Sequence, residues 1–203
     1  ITLPWPEGRR LGFDVLLDRD AMGYRGPPFN WVTMPDQFTL ARFRDRLPPD
    51  PRPLFAQIAL ISSHAPWVPV PVPLPWETVG DGTAFAGMER GDAPEVVWQD
   101  PDRIRAQYRD ALAYSLTVAF DWAARQRGAA PLILILGDHP AAGFVSQVAG
   151  SDVPAHLIGP PEVLALTDGF GWTPGLIPGP TTPRWPMEAF RDRFLQAFAG
   201  TPD

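Results

Sequence analysis

The chain has 203 residues with 45% hydrophobic and 20% charged positions, enough for one well-cored domain and unlike a disordered chain. Its net charge of −6 argues against nonspecific nucleic-acid binding, and all 17 basic residues are Arg. Cysteine is absent, which excludes disulfides and thiolate metal sites. No apolar run reaches the roughly 18–20 residues a membrane span needs. The start at Ile1, without Met, is read as the beginning of a piece of something longer. The 27 prolines cluster at 48–53, 66–75, 154–161 and 174–186, so stiff, extended loops are expected between compact elements.

In chain order, Leu11–Leu17 reads as a strand, with Asp18 and Asp20 leading into a turn. Trp31–Thr33 could be a short extended piece. Pro35–Leu47 reads as a helix, with Pro35 in the first turn and Leu40, Phe43 and Leu47 at helical spacing. Leu54–Ser62 is a buried-strand candidate that runs into Ser62-Ser63-His64-Ala65-Pro66-Trp67. Residues 77–99 carry no clear pattern. The longest helix is predicted from Pro101 to Arg127, capped by Asp100, opened by Pro101 and closed by Gly128. Between Ala111 and Ala123 nearly every position is apolar or small, which predicts cover on most sides.

Pro131–Leu136 is the other buried-strand candidate, ending in Gly137-Asp138-His139-Pro140. Residues Val153–Ile158 read as a further strand, residues 159–185 as loop, and Pro186–Ala199 as an amphipathic helix closed by Gly200. A strand ending near His64, a long helix and a strand ending at Asp138-His139 would form a βαβ unit with parallel strands. Both carboxyl ends would then lie on one sheet edge, where open α/β folds bind ligands. The fold expected is a single three-layer α/β/α domain with a mostly parallel sheet.

A carboxylate and an imidazole at that edge, Asp138 and His139, are candidate ligands for a divalent metal: Mn, Zn, Ca or Mg. His64 would join them or would hold the proline-rich loop structurally. Trp67 and Trp76 would line a cleft or anchor that loop to the core. His156, inside a predicted strand, reads as a residue with one structural hydrogen bond. Ser62 and Ser63 lie beside His64, but sequence adjacency is not triad geometry and the Gly-x-Ser-x-Gly elbow is absent.

Ile58–Pro71, the helix after Asp100 with Tyr108 and Tyr114-Ser115, and Leu132–Pro140 together resemble the alkaline phosphatase/sulfatase superfamily. The likeness is to its membrane-anchored sulfatase-like branch, which includes lipoteichoic acid synthases and phosphoethanolamine transferases. The resemblance implies His64, with Trp67, as substrate-binding residues near the phosphate, and Asp138 and His139 as metal ligands. It implies a partial alkaline phosphatase-like fold, the carboxyl-terminal portion of a metal-dependent hydrolase or transferase of phosphate or sulfate esters. Pro140 departs from the Gly common after Asp-His in the family. Nothing before His64 resembles the nucleophile region, and no Cys could become formylglycine. The nucleophile is therefore expected upstream, with this chain inactive alone and its parent anchored outside the cytoplasm, in the periplasm. The alternative is a non-catalytic extracytoplasmic module that keeps the fold to bind a polyanionic or glycan ligand.

Overall fold

The computed structural model describes residues 6–49, 52–126 and 131–199. It resolves into two compact units, Ile1–Ala124 and Arg125–Asp203.

In the first unit, a 3-10 turn at Pro6–Leu11 leads to the short helix α1, Arg19–Met22. Asp18 caps α1 by accepting from the Ala21 N–H at 3.0 Å, and Gly23 closes it at φ 71°, a conformation glycine adopts without cost. Helix α2 spans Asp36–Arg42 and continues into a 3-10 turn at Arg44–Arg46, close to the predicted Pro35–Leu47. The patternless stretch holds three brief helical turns, Trp76–Thr78, Thr83–Phe85 and α3, Pro94–Val97. Helix α4 spans Pro101–Ala124, and Asp100 caps it by accepting from the N–H groups of Asp102 and Arg103. The predicted helix runs to Arg127, but Arg125 and Gln126 are no longer helical, while Arg127 and Gly128 lie outside the described residues. It buries Ile104, Ala111, Tyr114, Ser115, Val118, Ala119 and Ala123 on one side and leaves positions 113, 117 and 121 exposed, so its cover is one-sided.

The core of this unit gathers Met22, Tyr24, Phe29, Val32, Met34, Phe38, Phe43, Val79 and Phe85, with Trp122 of α4 packed against it. Phe38 is fully buried and meets the Tyr24 ring edge-on at 4.8 Å.

The second unit pairs β1, Ile133–Leu136, with β2, Ala155–Ile158. The strands are antiparallel, in the register Ile133↔Ile158 to Leu136↔Ala155. The link between them carries α5, Gly143–Ser146. After β2 come α6, Pro161–Leu164, a 3-10 turn at Ala165–Phe170 and α7, Met187–Phe198. Along α7, Phe190, Phe194 and Phe198 form a run of ring contacts, and Phe190 also meets Phe170 and Trp172.

The expected three-layer α/β/α fold with a mostly parallel sheet is overturned. About 42% of the described residues are helical, and the sheet found among them is this two-stranded antiparallel pair. The reason lies in the segments meant to supply parallel strands. Leu11–Leu17 and Leu54–Ser62 enter no sheet among the described residues, and Leu11 belongs to the opening 3-10 turn. They run beside one another instead, Phe13 stacking on Phe55 at 6.3 Å and Arg52 pairing with Asp14 at 3.3 Å. Both line an open cleft of about 770 Å³. The βαβ argument for a shared sheet edge goes with them.

The buried aromatic at the centre of the first unit should dominate its stability. Phe38→Ala is expected to cost about 3–5 kcal/mol, the range for emptying a fully buried phenylalanine site. Urea unfolding read by first-unit signals checks it, and a cost under about 1 kcal/mol would contradict this packing.

Candidate functional site: a clamped histidine loop

The loop Ile61–Trp67 is built from its ends inward. A turn closes where His64 N–H donates to the Ile61 carbonyl at 3.0 Å. Before it, the N–H groups of Ile61 and Ser62 both donate to Asp36 Oδ1, at 2.7 and 2.9 Å. The other carboxylate oxygen accepts from the Ser115 hydroxyl of α4 at 2.7 Å. In return the Ser62 hydroxyl accepts the Asp36 N–H at 3.0 Å, capping α2 from a distant part of the chain. Asp36 is 1% exposed. Burial pushes its carboxyl pKa up, and the bonds from Ser115, Ser62 and Ile61 pull against that rise. Tyr114 lies alongside; burial first, then the Asp36 charge, holds its phenol well above the usual range.

Beyond the turn, aromatic groups converge on consecutive carbonyls. Trp31 Nε1 donates to Ala65 O at 2.5 Å, and His64 Nδ1 shares the same acceptor at 2.9 Å. A carbonyl can only accept, so the proton of neutral His64 sits on Nδ1, leaving the Nε2 lone pair outward. The Trp31 ring meets the imidazole edge-on at 4.7 Å. Trp98 Nε1 donates to Pro66 O at 3.2 Å. Trp67 holds a left-handed backbone, φ 62°, unusual for a bulky residue. It is kept there by Nε1 donating to Ser63 O at 2.8 Å, by stacking on Trp98 at 5.7 Å and by contact with Tyr108 at 5.2 Å. The peptide bonds Ala65-Pro66 and Val68-Pro69 are cis.

His64 is thus exposed on a tightly determined loop of the first unit. Trp67 is 7% exposed, so its ring supports the loop from beneath. Trp76 anchors the proline-rich run, donating from Nε1 to Asp121 of α4 at 2.5 Å. Ser62, beside the histidine in sequence, is buried and engaged as a cap. His156 shares a hydrogen bond from Nε2 with Leu176 O at 2.8 Å, as a structural histidine would.

Asp138 and His139 belong to the second unit, on the turn after β1. Asp138 Oδ1 accepts the His139 N–H at 2.8 Å, and His139 Nδ1 bonds Pro140 O at 3.0 Å. That leaves His139 Nε2 and Asp138 Oδ2 facing each other at 3.6 Å, both side chains exposed. Two ligands at about 2.1 Å from a tetrahedral ion would stand about 3.4 Å apart, so donor type and spacing both suit a divalent metal. The donor count does not. Among the described residues no His, Asp or Glu joins them to make a third, and a resident catalytic ion takes at least three protein ligands or an oxygen-rich cage. The couple does not fit a held metal by itself. No helix among the described residues is long and apolar enough to cross a membrane.

No protein-family model, curated protein or solved structure matches the chain.

Sequence reasoning passed over Asp36. An acid in a helix's first turn ordinarily marks a solvated N-terminus, and no local signal says that this one is buried.

The clamp makes stability depend on pH in a defined sense. Because the folded-state pKa of Asp36 is raised, its contribution is fully present below the unfolded carboxylate value, about 4, and is lost as pH rises through the folded value. Asp36→Asn keeps the bonds, since its amide oxygen accepts from both main-chain N–H groups and its NH₂ donates to Ser115 Oγ. Urea unfolding at pH 4 and pH 7 should show the variant gaining on the native chain at pH 7, by about 1.4 kcal/mol per unit of pKa displacement. A relative loss at pH 7 would refute the assignment.

Proposed function

We propose that the chain supplies the oxyanion contact of an enzyme that hydrolyses or transfers phosphate or sulfate esters, with His64 as the contacting group. The observation that supports this is a solvent-facing imidazole whose loop is fixed by a buried carboxylate and by indole N–H groups on successive carbonyls. An imidazole with Nδ1 committed to a carbonyl has one free nitrogen and one orientation. Protonated, Nε2–H donates to a developing anion or to a leaving-group oxygen; neutral, it accepts a proton. Preset geometry is what makes such a donor effective, since no reorientation is needed as charge develops.

On this reading Trp67 acts through the loop, and Asp138 and His139 are given no part in holding a metal. The described residues assign no nucleophile, Ser62 being occupied as a cap. A glycan-binding module is the second reading, favoured by the partly exposed indoles of Trp31, 37%, which meets the imidazole, and Trp98, 41%, which bonds Pro66 O of the same loop.

Histidine-selective ¹H–¹⁵N spectra with inorganic phosphate, sulfate or a neutral oligosaccharide separate the readings. A saturable His64 Nε2 shift with phosphate or sulfate is expected, lost in His64→Ala. A shift with the oligosaccharide alone would replace the enzymatic reading, and no response to any would overturn both. The chain by itself should not turn over aryl phosphate or sulfate with Mn²⁺, Zn²⁺, Ca²⁺ or Mg²⁺. Turnover abolished by Asp138→Ala would overturn that expectation.

A further inference from the structure

We infer that Asp36 is a positioning residue for His64, fixing from inside the fold the direction in which the imidazole presents Nε2 to its ligand. The inference rests on His64 being the ligand-facing group, and it adds a residue that touches no ligand.

The argument is one of placement. The segment around the start of α2 holds the histidine loop at two points. Asp36 takes the N–H groups of Ile61 and Ser62, which open the turn ending at His64. Trp31 takes the Ala65 carbonyl just past it. His64 lies between these two grips, and its own Nδ1 bond falls on the carbonyl that Trp31 holds. A single carboxylate oxygen accepting from adjacent amides fixes both the position and the tilt of the turn's entry, which one bond would not do. The second oxygen is tied to Ser115 on α4, so the carboxylate cannot swing with the loop.

A buried group that only held helices together would have no need to bond the main chain of this turn. Removing the side chain frees the amides of Ile61 and Ser62 and the Ser115 hydroxyl together. The turn can then relax, and Ala65 O need no longer face the imidazole. Asparagine preserves every one of these bonds, so orientation should survive loss of the charge.

The test compares native chain, Asp36→Ala and Asp36→Asn by ¹⁵N shifts of both His64 ring nitrogens and by phosphate titration, at a temperature where each is folded by urea unfolding. In Asp36→Ala the preference for the Nδ1–H tautomer should be lost and phosphate should bind about tenfold more weakly; Asp36→Asn should restore both. Unchanged His64 tautomer and affinity in folded Asp36→Ala would overturn the inference, as would failure of Asp36→Asn to restore them. Should Asp36→Ala not fold, Ser115→Ala carries the test: a smaller displacement in the same direction is expected, and an unmoved His64 overturns it. If native His64 ignores phosphate, the proposed function fails, while the tautomer comparison still decides the role of Asp36.

Discussion

A carboxylate withdrawn from water is the constraint on which the first unit depends. Burying an ionised group costs several kcal/mol unless hydrogen bonds replace its hydration. Asp36 is supplied with them from parts of the chain remote in sequence: Ile61 and Ser62, 25 and 26 residues on, and Ser115, 79 residues on. The bonds do not remove the cost, as the raised pKa records. They convert it into specificity, because a register shift in either loop or helix would strand the charge.

The neighbouring residue repeats the device. Gln37, also buried, accepts the Leu74 N–H through Oε1 at 2.9 Å and donates from Nε2 to the Leu74 carbonyl at 2.7 Å. Its side chain thereby gives one residue of the proline-rich run the donor and acceptor that a neighbouring strand would have given. Prolines there cannot donate to a ladder, and Ile61-Ser62 stands in no sheet among the described residues. At both places a side chain at the head of α2 does the work of a missing main-chain partner. The apolar cluster around Phe38 then closes over it.

This explains which parts of the structure were legible in the sequence. Helix α4 was readable from Asp100 and Pro101, and α2 from its spacing, because caps and periodicity are local. The strands Ile133–Leu136 and Ala155–Ile158 were readable as strands for the same reason. Their direction was not. An apolar run states a preference for extended backbone without naming its partner, and the parallel reading borrowed a partner, Leu54–Ser62, whose last amides bond a side chain instead. The core residue Phe85 was missed because it lies in a 3-10 turn too brief for any period to show. Of the candidate site, His64 was marked by its exposed chemistry. Asp36 was invisible, since burial is a property of packing that a single acid after a proline does not announce.

The arrangement also bears on why an exposed histidine should be so heavily determined. A surface imidazole contributes little to stability, and nothing in folding requires its rotamer to be fixed. Fixing it costs conformational entropy, and here it also involves a left-handed Trp67 and a buried charge. Local features that run against stability persist where something other than stability is served. For a residue that meets a ligand, that benefit is an orientation entropy already lost before binding, so that little remains to be lost on contact. The same cost spent on a merely structural histidine, such as His156 bonded to the Leu176 carbonyl, would gain nothing. What marks the loop is that an exposed imidazole is tied through its own turn to a carboxylate in the core. This arrangement, more than the presence of a histidine, is the feature that supports a functional reading.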